Sequence, residues 1–346
     1  MVGKQDSRLK TQDSGLKTSK TGFMSLSVHK PIILLPILFL MFCVLNLSFP
    51  HPSGAAFKDN FVSARSVAMG GACTALANDA DGGLINPAGL SMIERQQIIA
   101  TAAALHMGLS DDSFISQNIL GYAYQQNRIG TLGAVWKRLA ATGLYSENTL
   151  ALSFARDFRF YLKKGEGDRR KNVSFGATLN FMNWDSAPTV GADGKIVEDL
   201  SGWSGFSFDI GVVIWPSENI PVAVSLQDIS KPNIDSDSSL VDEDLPTTTR
   251  MGVAAMGESI TWAMDMILSD GHIDLRVGLE RQYDWNFCLR AGFSLENLAW
   301  GTNFTLGAGY KPSEQVRIDY AFVYPVNTIL DTLGSHRISV VYSFGQ

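Results

Sequence analysis

Cysteine and histidine are scarce in this sequence, which has 3 cysteines and 5 histidines in 346 residues. So few cysteines do not supply a disulfide framework, and the histidines lack the spacing of metal ligands. We therefore expect no metal site and no cofactor. An enzyme with residues such as a Ser-His-Asp set is the weaker alternative, and we expect no catalytic residues. Cys73 and Cys288 are expected to be unpaired, and a single bond between them is the alternative.

Long apolar runs are also missing, with one exception at residues 31–49. A basic flank, an apolar core and a small-residue exit are typical of a secretory signal, and a single membrane anchor is the alternative. We expect cleavage near Ala55 or Ala56, so that residues 1–56 are an N-terminal extension and signal peptide. Because the stretch before the apolar run is unusually long, Met24 is an alternative to the first Met as the start.

Basic residues are outnumbered, with 28 Lys and Arg against 34 Asp and Glu. Removal of the signal takes away six of the basic and two of the acidic residues, which leaves a formal charge of −10. An acidic exported chain without a basic stripe is a poor match for a polyanion. The sequence therefore predicts no nucleic-acid partner.

The first part of the expected mature chain, residues 57–96, is rich in Gly and Ala and too polar for a membrane helix. Gly70 and Gly71 give backbone freedom, and a proline and a glycine at 86–89 indicate a tight turn. The glycine pairs lack the Lys-Ser/Thr that follows a phosphate-binding loop. We interpret this region as a plug and residues 97–346 as the wall around it.

Apolar and polar residues alternate along most of the chain after residue 97, for example from Val173 to Phe181. Side chains on a strand point to opposite faces in turn, so this alternation predicts strands. Their lengths suit the roughly 9–11 tilted residues that cross a bilayer. The fourteen predicted strands are 97–107, 117–126, 129–137, 147–157, 172–182, 204–215, 221–228, 248–256, 260–268, 272–280, 284–293, 302–310, 315–324 and 336–344.

The two faces of these strands differ in a way that decides the fold class. One face is large and apolar, whereas the other carries small, polar and charged residues, as expected when lipid lies outside and water inside. The sequence therefore predicts an all-β, transmembrane antiparallel β-barrel of about 14 strands with the N-terminal plug (hatch) inside the lumen. The charged residues predicted to line the lumen, as a salt-bridged layer, are Asp209, Asp265, Asp274, Arg276, Glu280, Arg290, Arg317, Asp319 and Arg337.

The connections between predicted strands are long on one side, at 183–203 and 229–247, and mostly short on the other, with 158–171 as the exception. Such barrels have long outer loops, short inner turns and both termini in the periplasm. Fourteen strands imply a diameter of roughly 28 Å, which side chains alone do not fill. A barrel of this size must be open or plugged, and residues 57–96 are the natural plug.

Both ends of the expected mature chain resemble a known group of proteins. The similar segments are SARSVAMGGA at 63–72, NDA at 78–80, NPAGL at 86–90, GLER at 278–281, LRAGF at 289–293, LGAGY at 306–310, RIDYA at 317–321 and HRISV at 336–340. They resemble the PorV/PorQ group of outer-membrane proteins, which looks like a branch of the FadL-type superfamily of hydrophobic-compound transporters. The resemblance implies a fourteen-stranded barrel with an N-terminal hatch, to which Asn86, Pro87 and Ala88 belong.

Three functions are consistent with this resemblance, and all place the protein in the bacterial outer membrane, in contact with its lipid. The first is FadL-like transport of a hydrophobic ligand past the hatch. The second is a PorV-like role in type IX secretion, with secretion-system proteins docked on the loops at 183–203 and 229–247. The third is a structural barrel without transport. The FadL-type fatty-acid-binding residues have no recognisable counterparts here, so the sequence does not identify a ligand.

Overall fold

The computed structural model describes residues 57, 62–109, 113–126, 128–162, 169–190, 196–198, 202–234, 244–297, 301–327 and 332–345. The predicted extension and signal peptide at 1–56 lie outside the described residues. The first regular elements are the helix α1 (Ala64–Ala68) and two 3-10 helices, Gly82–Leu84 and Pro87–Met92. Among the described residues, no helix is both long enough and apolar enough to cross a bilayer.

Sixteen strands follow in the described part of the chain. They are β1 (Gln96–Leu105), β2 (Ile115–Gln126), β3 (Gly130–Ala141), β4 (Tyr145–Leu162), β5 (Arg169–Ser186), β6 (Thr189–Val190), β7 (Ile196–Glu198), β8 (Trp203–Ser217), β9 (Ile220–Gln227), β10 (Thr248–Met256), β11 (Ile260–Ser269), β12 (His272–Tyr283), β13 (Phe287–Glu296), β14 (Gly301–Tyr310), β15 (Val316–Pro325) and β16 (Ser335–Phe344). The short strands β6 and β7 pair only with each other.

The other fourteen strands form one closed antiparallel barrel, which confirms the predicted fold class of the wall. Each strand pairs with its neighbour in sequence, and β16 returns to pair with β1 from Gln96↔Phe344 to Ala104↔His336. We call the end at which β1 begins and β16 ends the base, and the opposite end the rim. The long connections after β5 and β9 both lie at the rim, because neighbouring strands alternate in direction.

Large apolar side chains face outward around the whole barrel. On β4, Leu150, Leu152 and Phe154 are exposed, whereas Ala151 and Ser153 between them are buried. On other strands, the exposed fractions of the aromatic residues Phe175, Phe208 and Phe304 are 47%, 46% and 54%. These aromatic rings therefore do not share a common interior. An apolar outer face with a small and polar inner face is the arrangement that a lipid-facing barrel requires.

The hairpin of β4 and β5 is longer than the sequence predicts. The predicted strands end at 157 and begin again at 172, but the two strands stay paired to Leu162↔Arg169, beyond the last pair of β4 with β3, Thr131↔Ala155. The interval 158–171, predicted as an exceptional connection, is thus mostly strand. Apolar and polar residues alternate where one face of a strand is buried and the other faces lipid. This alternation is weaker where β4 and β5 pair only with each other, so the sequence does not predict their extension.

The outward face predicts a depth-dependent response to charge. We expect Leu152→Arg, near the middle of β4, to lower the free energy of unfolding by about 2–4 kcal/mol, because Arg must then enter the hydrocarbon layer. The control Leu144→Arg, in the turn between β3 and β4, should cost about 0–1 kcal/mol. Urea titration of the protein refolded into phosphatidylcholine vesicles measures both values. Equal losses for the two variants would contradict the assignment of this face to lipid.

Candidate functional site

Residues 62–93, which we call the lumen segment, contact the barrel wall on two opposite sides. Helix α1 contacts β13, β14, β15 and β16, whereas the 3-10 helix at Pro87–Met92 contacts β3, β4, β5 and β8. A segment that touches both sides of a closed barrel lies in its interior. Most of its side chains are buried, including those of Met69, Leu76, Ile85 and Leu90.

The start of the lumen segment is tied to strand β16. The backbone N–H of Ala64 donates to Oγ of Ser339 at 2.8 Å, and Nη1 of Arg337 donates to the carbonyl oxygen of Val62. Arg337 is one of the predicted lumen residues, and the structure places its side chain on the inner face. These bonds satisfy backbone groups of a non-sheet segment that is shielded from water, where an unpaired group would be costly.

Because glycines on the wall have no Cβ, the lumen segment lies close to the backbone of the strands. A Cβ on Gly292 would lie 2.1 Å from the amide nitrogen of Gly70, and one on Gly278 would lie 2.4 Å from the carbonyl oxygen of Met69. Gly70 and Gly71 themselves have φ values of +66° and +78°, a region that favours glycine. The predicted backbone freedom of these two glycines is thus used for a fixed, tightly packed turn.

The Asn-Pro-Ala turn is held by its own first residue. Oδ1 of Asn86 accepts from the backbone N–H of Ala88 at 3.1 Å, and Nδ2 of Asn86 donates to the carbonyl oxygen of Thr74 at 3.0 Å. Pro87 takes the first position of the 3-10 helix, where a missing N–H costs nothing. Asn86 is fully buried, and its hydrogen bond to Thr74 links the turn to an earlier part of the lumen segment.

Two further wall glycines form the seat of this turn. A Cβ on Gly176 of β5 would lie 2.3 Å from the carbonyl carbon of Pro87, and one on Gly211 of β8 would lie 1.9 Å from Oδ1 of Asn86. At Gly176 no other residue fits without a shift of the turn's backbone, and at Gly211 none fits without displacing the side chain of Asn86. The sequence indicates the turn, but it does not indicate which wall glycines face it.

A buried carboxylate anchors the middle of the lumen segment. Oδ2 of Asp265 accepts from the backbone N–H of Cys73 at 2.9 Å, and from N and Oγ1 of Thr74 at 2.8 Å and 2.7 Å. Arg250 lies beside it, fully buried, and its Nη2 donates to the carbonyl oxygen of Gly71 at 3.4 Å. Cys73 and Cys288 are both free thiols, so they do not join segment to wall.

Six charged residues form a closed cycle near the base, which we call the ion ring. Arg65 and Asp79 come from the lumen segment, and the other four come from β12, β13 and β15. The nitrogen–oxygen distances around the cycle are Arg65–Asp79 3.3 Å, Asp79–Arg317 2.6 Å, Arg317–Asp319 2.7 Å, Asp319–Arg290 2.7 Å, Arg290–Glu280 2.6 Å and Glu280–Arg65 3.5 Å. Three cations and three anions alternate, so the ring is neutral.

Two neighbouring carboxyls of the lumen segment have pKa values that are shifted in opposite directions. Burial alone would raise the pKa of Asp79, but Arg317 and Arg65 outweigh it and hold that pKa well below the usual range. Burial, together with repulsion from Asp79, raises the pKa of Asp81 to about 6. The second oxygen of Asp81 has no hydrogen-bond partner among the described residues. Asp79 is therefore stabilised as an anion, and Asp81 is not.

The structure places all nine predicted lumen residues on the inner face. Four of them, Glu280, Arg290, Arg317 and Asp319, meet in the ion ring, and the others are distributed along the lumen. Asp209 accepts from Nδ2 of Asn180 at 2.8 Å, and Arg276 pairs with Asp274 at 3.3 Å. Asp265 and Arg337 bind the lumen segment as described above. The strand alternation therefore identifies which residues point inward, but not which of them meet.

Three charged residues of the site were missed by the sequence reasoning. Arg65 and Asp79 lie in the lumen segment, where no alternation marks a direction, and Arg250 lies on β10 at an inward position. The alternation on β10 was a signal that could have identified Arg250. For Arg65 and Asp79 the signals were the presence of charge in a segment otherwise rich in Gly and Ala, and their place in the segments 63–72 and 78–80 that carry the resemblance.

An apolar cluster lies at the rim, opposite the ion ring. Phe57, Met182, Ile234 and Leu245 form its buried centre, and Trp203 packs against it with its ring centroid 6.2 Å from that of Phe57. Trp184 also contacts the cluster. Apolar side chains of this size at the mouth of a barrel provide a surface suited to a hydrophobic small molecule.

No metal centre accompanies these features in the described part of the chain, where no group of three or more His, Cys, Asp or Glu is arranged to hold an ion.

The fold has close counterparts among solved structures. The CymD monoaromatic hydrocarbon channel has a TM-score of 0.57 and 13% identity, over 84% of this chain and 100% of that one. The toluene transporter TbuX of Ralstonia pickettii has a TM-score of 0.56 and 12% identity, over 84% and 100%. The toluene transporter TodX of P. putida has a TM-score of 0.55 and 13% identity, over 83% and 99%. The barrel therefore shares its fold with these solved channels.

No family model and no curated protein matches the sequence. At identities of 12–13%, the likeness to the solved channels shows the shared fold and nothing finer. The PorV/PorQ resemblance is not confirmed by these comparisons.

The seat of the Asn-Pro-Ala turn predicts a strongly position-specific effect of added bulk. Gly176→Leu should lower the free energy of unfolding by about 1–3 kcal/mol or more, because the new side chain meets the backbone of Pro87. Ala177→Leu is a matched control, since Ala177 is the next residue and is exposed on the outer face. It should change stability by less than about 0.5 kcal/mol. Urea unfolding in vesicles measures the free energy of unfolding of both variants. Equal losses would contradict the close contact of Gly176 with the Asn-Pro-Ala turn.

A change of pH, or substitution by Asn, should change the stability of the protein in opposite directions at Asp81 and Asp79. A raised pKa in the folded protein means that Asp81 stabilises it at low pH and loses that contribution as pH rises through about 6. A lowered pKa means that Asp79 stabilises it above its unfolded pKa and loses that contribution as pH falls. Asp81→Asn should therefore raise stability at pH 7.5, by up to about 3 kcal/mol.

Asp79→Asn, in contrast, should lower stability at pH 7.5 by about 3 kcal/mol, because two buried arginines lose a partner. Urea midpoints of both variants and of the unchanged protein, at pH 4.5 and pH 7.5, give the comparison. A loss of stability in Asp81→Asn at pH 7.5 would show that its carboxylate is bound and not isolated.

Proposed function

We propose that this protein is an outer-membrane barrel that provides a plugged path for hydrophobic small molecules. The observation that carries the proposal is the combination of an apolar cluster at the rim with a lumen closed by a segment held only through noncovalent contacts. The solved structures that share its fold are described as channels and transporters for toluene and other monoaromatic hydrocarbons. The functions of these proteins support transport rather than catalysis as the role of this chain.

The rim cluster is the proposed point of entry. A hydrophobic solute gains free energy by leaving water for apolar surface, at about 25 cal/mol per Å² buried. Trp184 and Trp203, which are only partly buried, offer such surface where the long connections of the rim meet the barrel, and they pack against the buried Phe57 and Met182. The lumen below is lined by charged and polar side chains, which do not favour an apolar solute. The solute must therefore pass along the boundary between lumen segment and wall.

Passage requires the lumen segment to shift, and its contacts allow a reversible shift. Ion pairs and hydrogen bonds hold it at β10, β11, β12, β15 and β16, and the two thiols form no covalent link. The closely packed glycine seats prevent gradual deformation, so the segment has discrete seated and unseated positions. This is the hatch movement that a FadL-like transporter would need.

A PorV-like role in type IX secretion stays a prediction, since the neighbours described above do not support it. In that case the connections at 183–203 and 229–247 would dock secretion-system proteins. Contact with outer-membrane lipid follows from either role, because the apolar outer face of the barrel must be covered.

The transport proposal is tested by uptake of radiolabelled toluene into cells that lack other hydrocarbon channels. The unchanged protein should raise uptake above the empty-vector level. Trp203→Ala removes a large apolar contact, so it should weaken toluene binding about tenfold and thereby lower uptake. Met182→Asp should weaken binding further. Phe206→Ala is the matched control, because Phe206 lies on the same strand but is exposed on the outer face.

Two results would contradict the proposal. One is uptake at the vector level from correctly folded, unchanged protein. The other is an equal loss of uptake in Phe206→Ala and Trp203→Ala, because the effect would then come from the outer face and not from the rim cluster. Native mass spectrometry after mild detergent extraction adds an independent readout, since a transporter of this kind should retain a hydrophobic ligand.

A further inference from the structure

A polar cavity of about 160 Å³ lies at the base of the barrel, at the opposite end from the rim cluster. Asn286 and Lys311 lie in the turns after β12 and β14, which places the cavity at the mouth of the base. Its lining residues, most of them polar or charged, are Arg65, Asn78, Glu280, Gln282, Asn286, Cys288, Arg290, Gly309, Lys311 and Arg317. The cavity is therefore separate from the rim cluster, and it lies between the lumen segment and the strands at the base.

The ion ring presents its cations to this cavity more than its anions. All three arginines of the ring line the cavity, but two of its three carboxylates, Asp79 and Asp319, do not. These two carboxylates are only 8% and 0% exposed, so they lie behind the guanidinium groups. Glu280 is the one ring carboxylate that reaches the cavity, and it is already paired with two arginines.

Each of these arginines has one nitrogen left over. Arg65 uses Nε and Nη1 within the ring, Arg290 uses Nε and Nη1, and Arg317 uses Nε and Nη2. The third nitrogen of each guanidinium has no partner among the described residues, and none of the three is sealed from solvent. Three unused donors therefore lie around one small polar space.

Lys311 adds a fourth cation at the cavity. Its side chain is exposed, and its ammonium group makes no ion pair with a described residue. Its backbone N–H donates to the carbonyl oxygen of Asn286 at 2.9 Å, which fixes the turn at the cavity mouth. The neutral ion ring plus Lys311 gives the site a net charge of +1.

We propose that this cavity binds a small oxyanion, a carboxylate or phosphate group, on the free nitrogens of Arg65, Arg290 and Arg317 with Lys311 at its mouth. Guanidinium groups favour such anions because their planar donors match carboxylate and phosphate oxygens. A cavity of about 160 Å³ is large enough for one such group. The site does not rest on the proposed hydrocarbon transport.

Isothermal titration of the full chain in detergent micelles, at constant ionic strength set with chloride, tests this site. The probes are inorganic phosphate, acetate and hexanoate. We expect saturable binding of at least one of them to the unchanged protein. Tighter binding of hexanoate than acetate would identify the acidic end of a larger molecule, whereas tighter binding of phosphate would identify a phosphate group, and both results support an oxyanion site.

Two matched charge reversals separate this site from nonspecific attraction. Lys311→Glu changes an exposed residue at the cavity mouth without removing an ion pair, and it should weaken binding about tenfold or more. Lys231→Glu makes the same change at the exposed Lys231 near the rim, and it should leave binding unchanged. Absence of saturable binding with all three probes, or equal weakening in both variants, would overturn the proposal. Toluene uptake is not read in this assay, so the two proposals fail separately.

Discussion

The width of a fourteen-stranded barrel is the constraint on which the rest of this structure depends. Side chains fill a barrel of about eight strands, but a wider one leaves space that must hold water or protein. Here the described part of that space holds the lumen segment, whose backbone lies in direct contact with wall glycines at 176, 278 and 292. The polar inner face of the wall follows from this, because a segment without sheet pairing needs side chains to satisfy its backbone groups.

Buried charge is the second consequence. Removing isolated charges from water is costly, but alternating them in a closed, neutral cycle returns much of that cost as ion pairs and hydrogen bonds. The ion ring does this with two residues from the lumen segment and four from the wall. Loss of Arg65 or Asp79 from the cycle takes one of two partners from Glu280 or Arg317 of the wall, so the ring favours one seated position of the segment. The physical benefit of so many buried ions is specific seating of the segment more than added stability.

The wall could be predicted from the sequence because a strand in a lipid-facing barrel repeats every two residues. Phe175, Phe208 and Phe304 point outward, and Asp209 and Arg290 point inward, as the alternation indicates. The pairing of Arg65 with Glu280 could not be predicted, since 214 residues separate them and no local pattern connects them. The extension of β4 to Leu162 was missed because it lies beyond the last pair with β3. The periodicity of a strand thus indicates which of its residues point inward, but not which distant residues they contact.

The central claim is that the lumen segment is a seated part of the barrel interior, and hydrogen–deuterium exchange of the folded protein in micelles tests it most directly. Peptides from 62–93 should exchange as slowly as peptides from β12 and β13, because their N–H groups are bonded inside the barrel. Exchange of these peptides as fast as that of the turn at 142–144 would contradict the account.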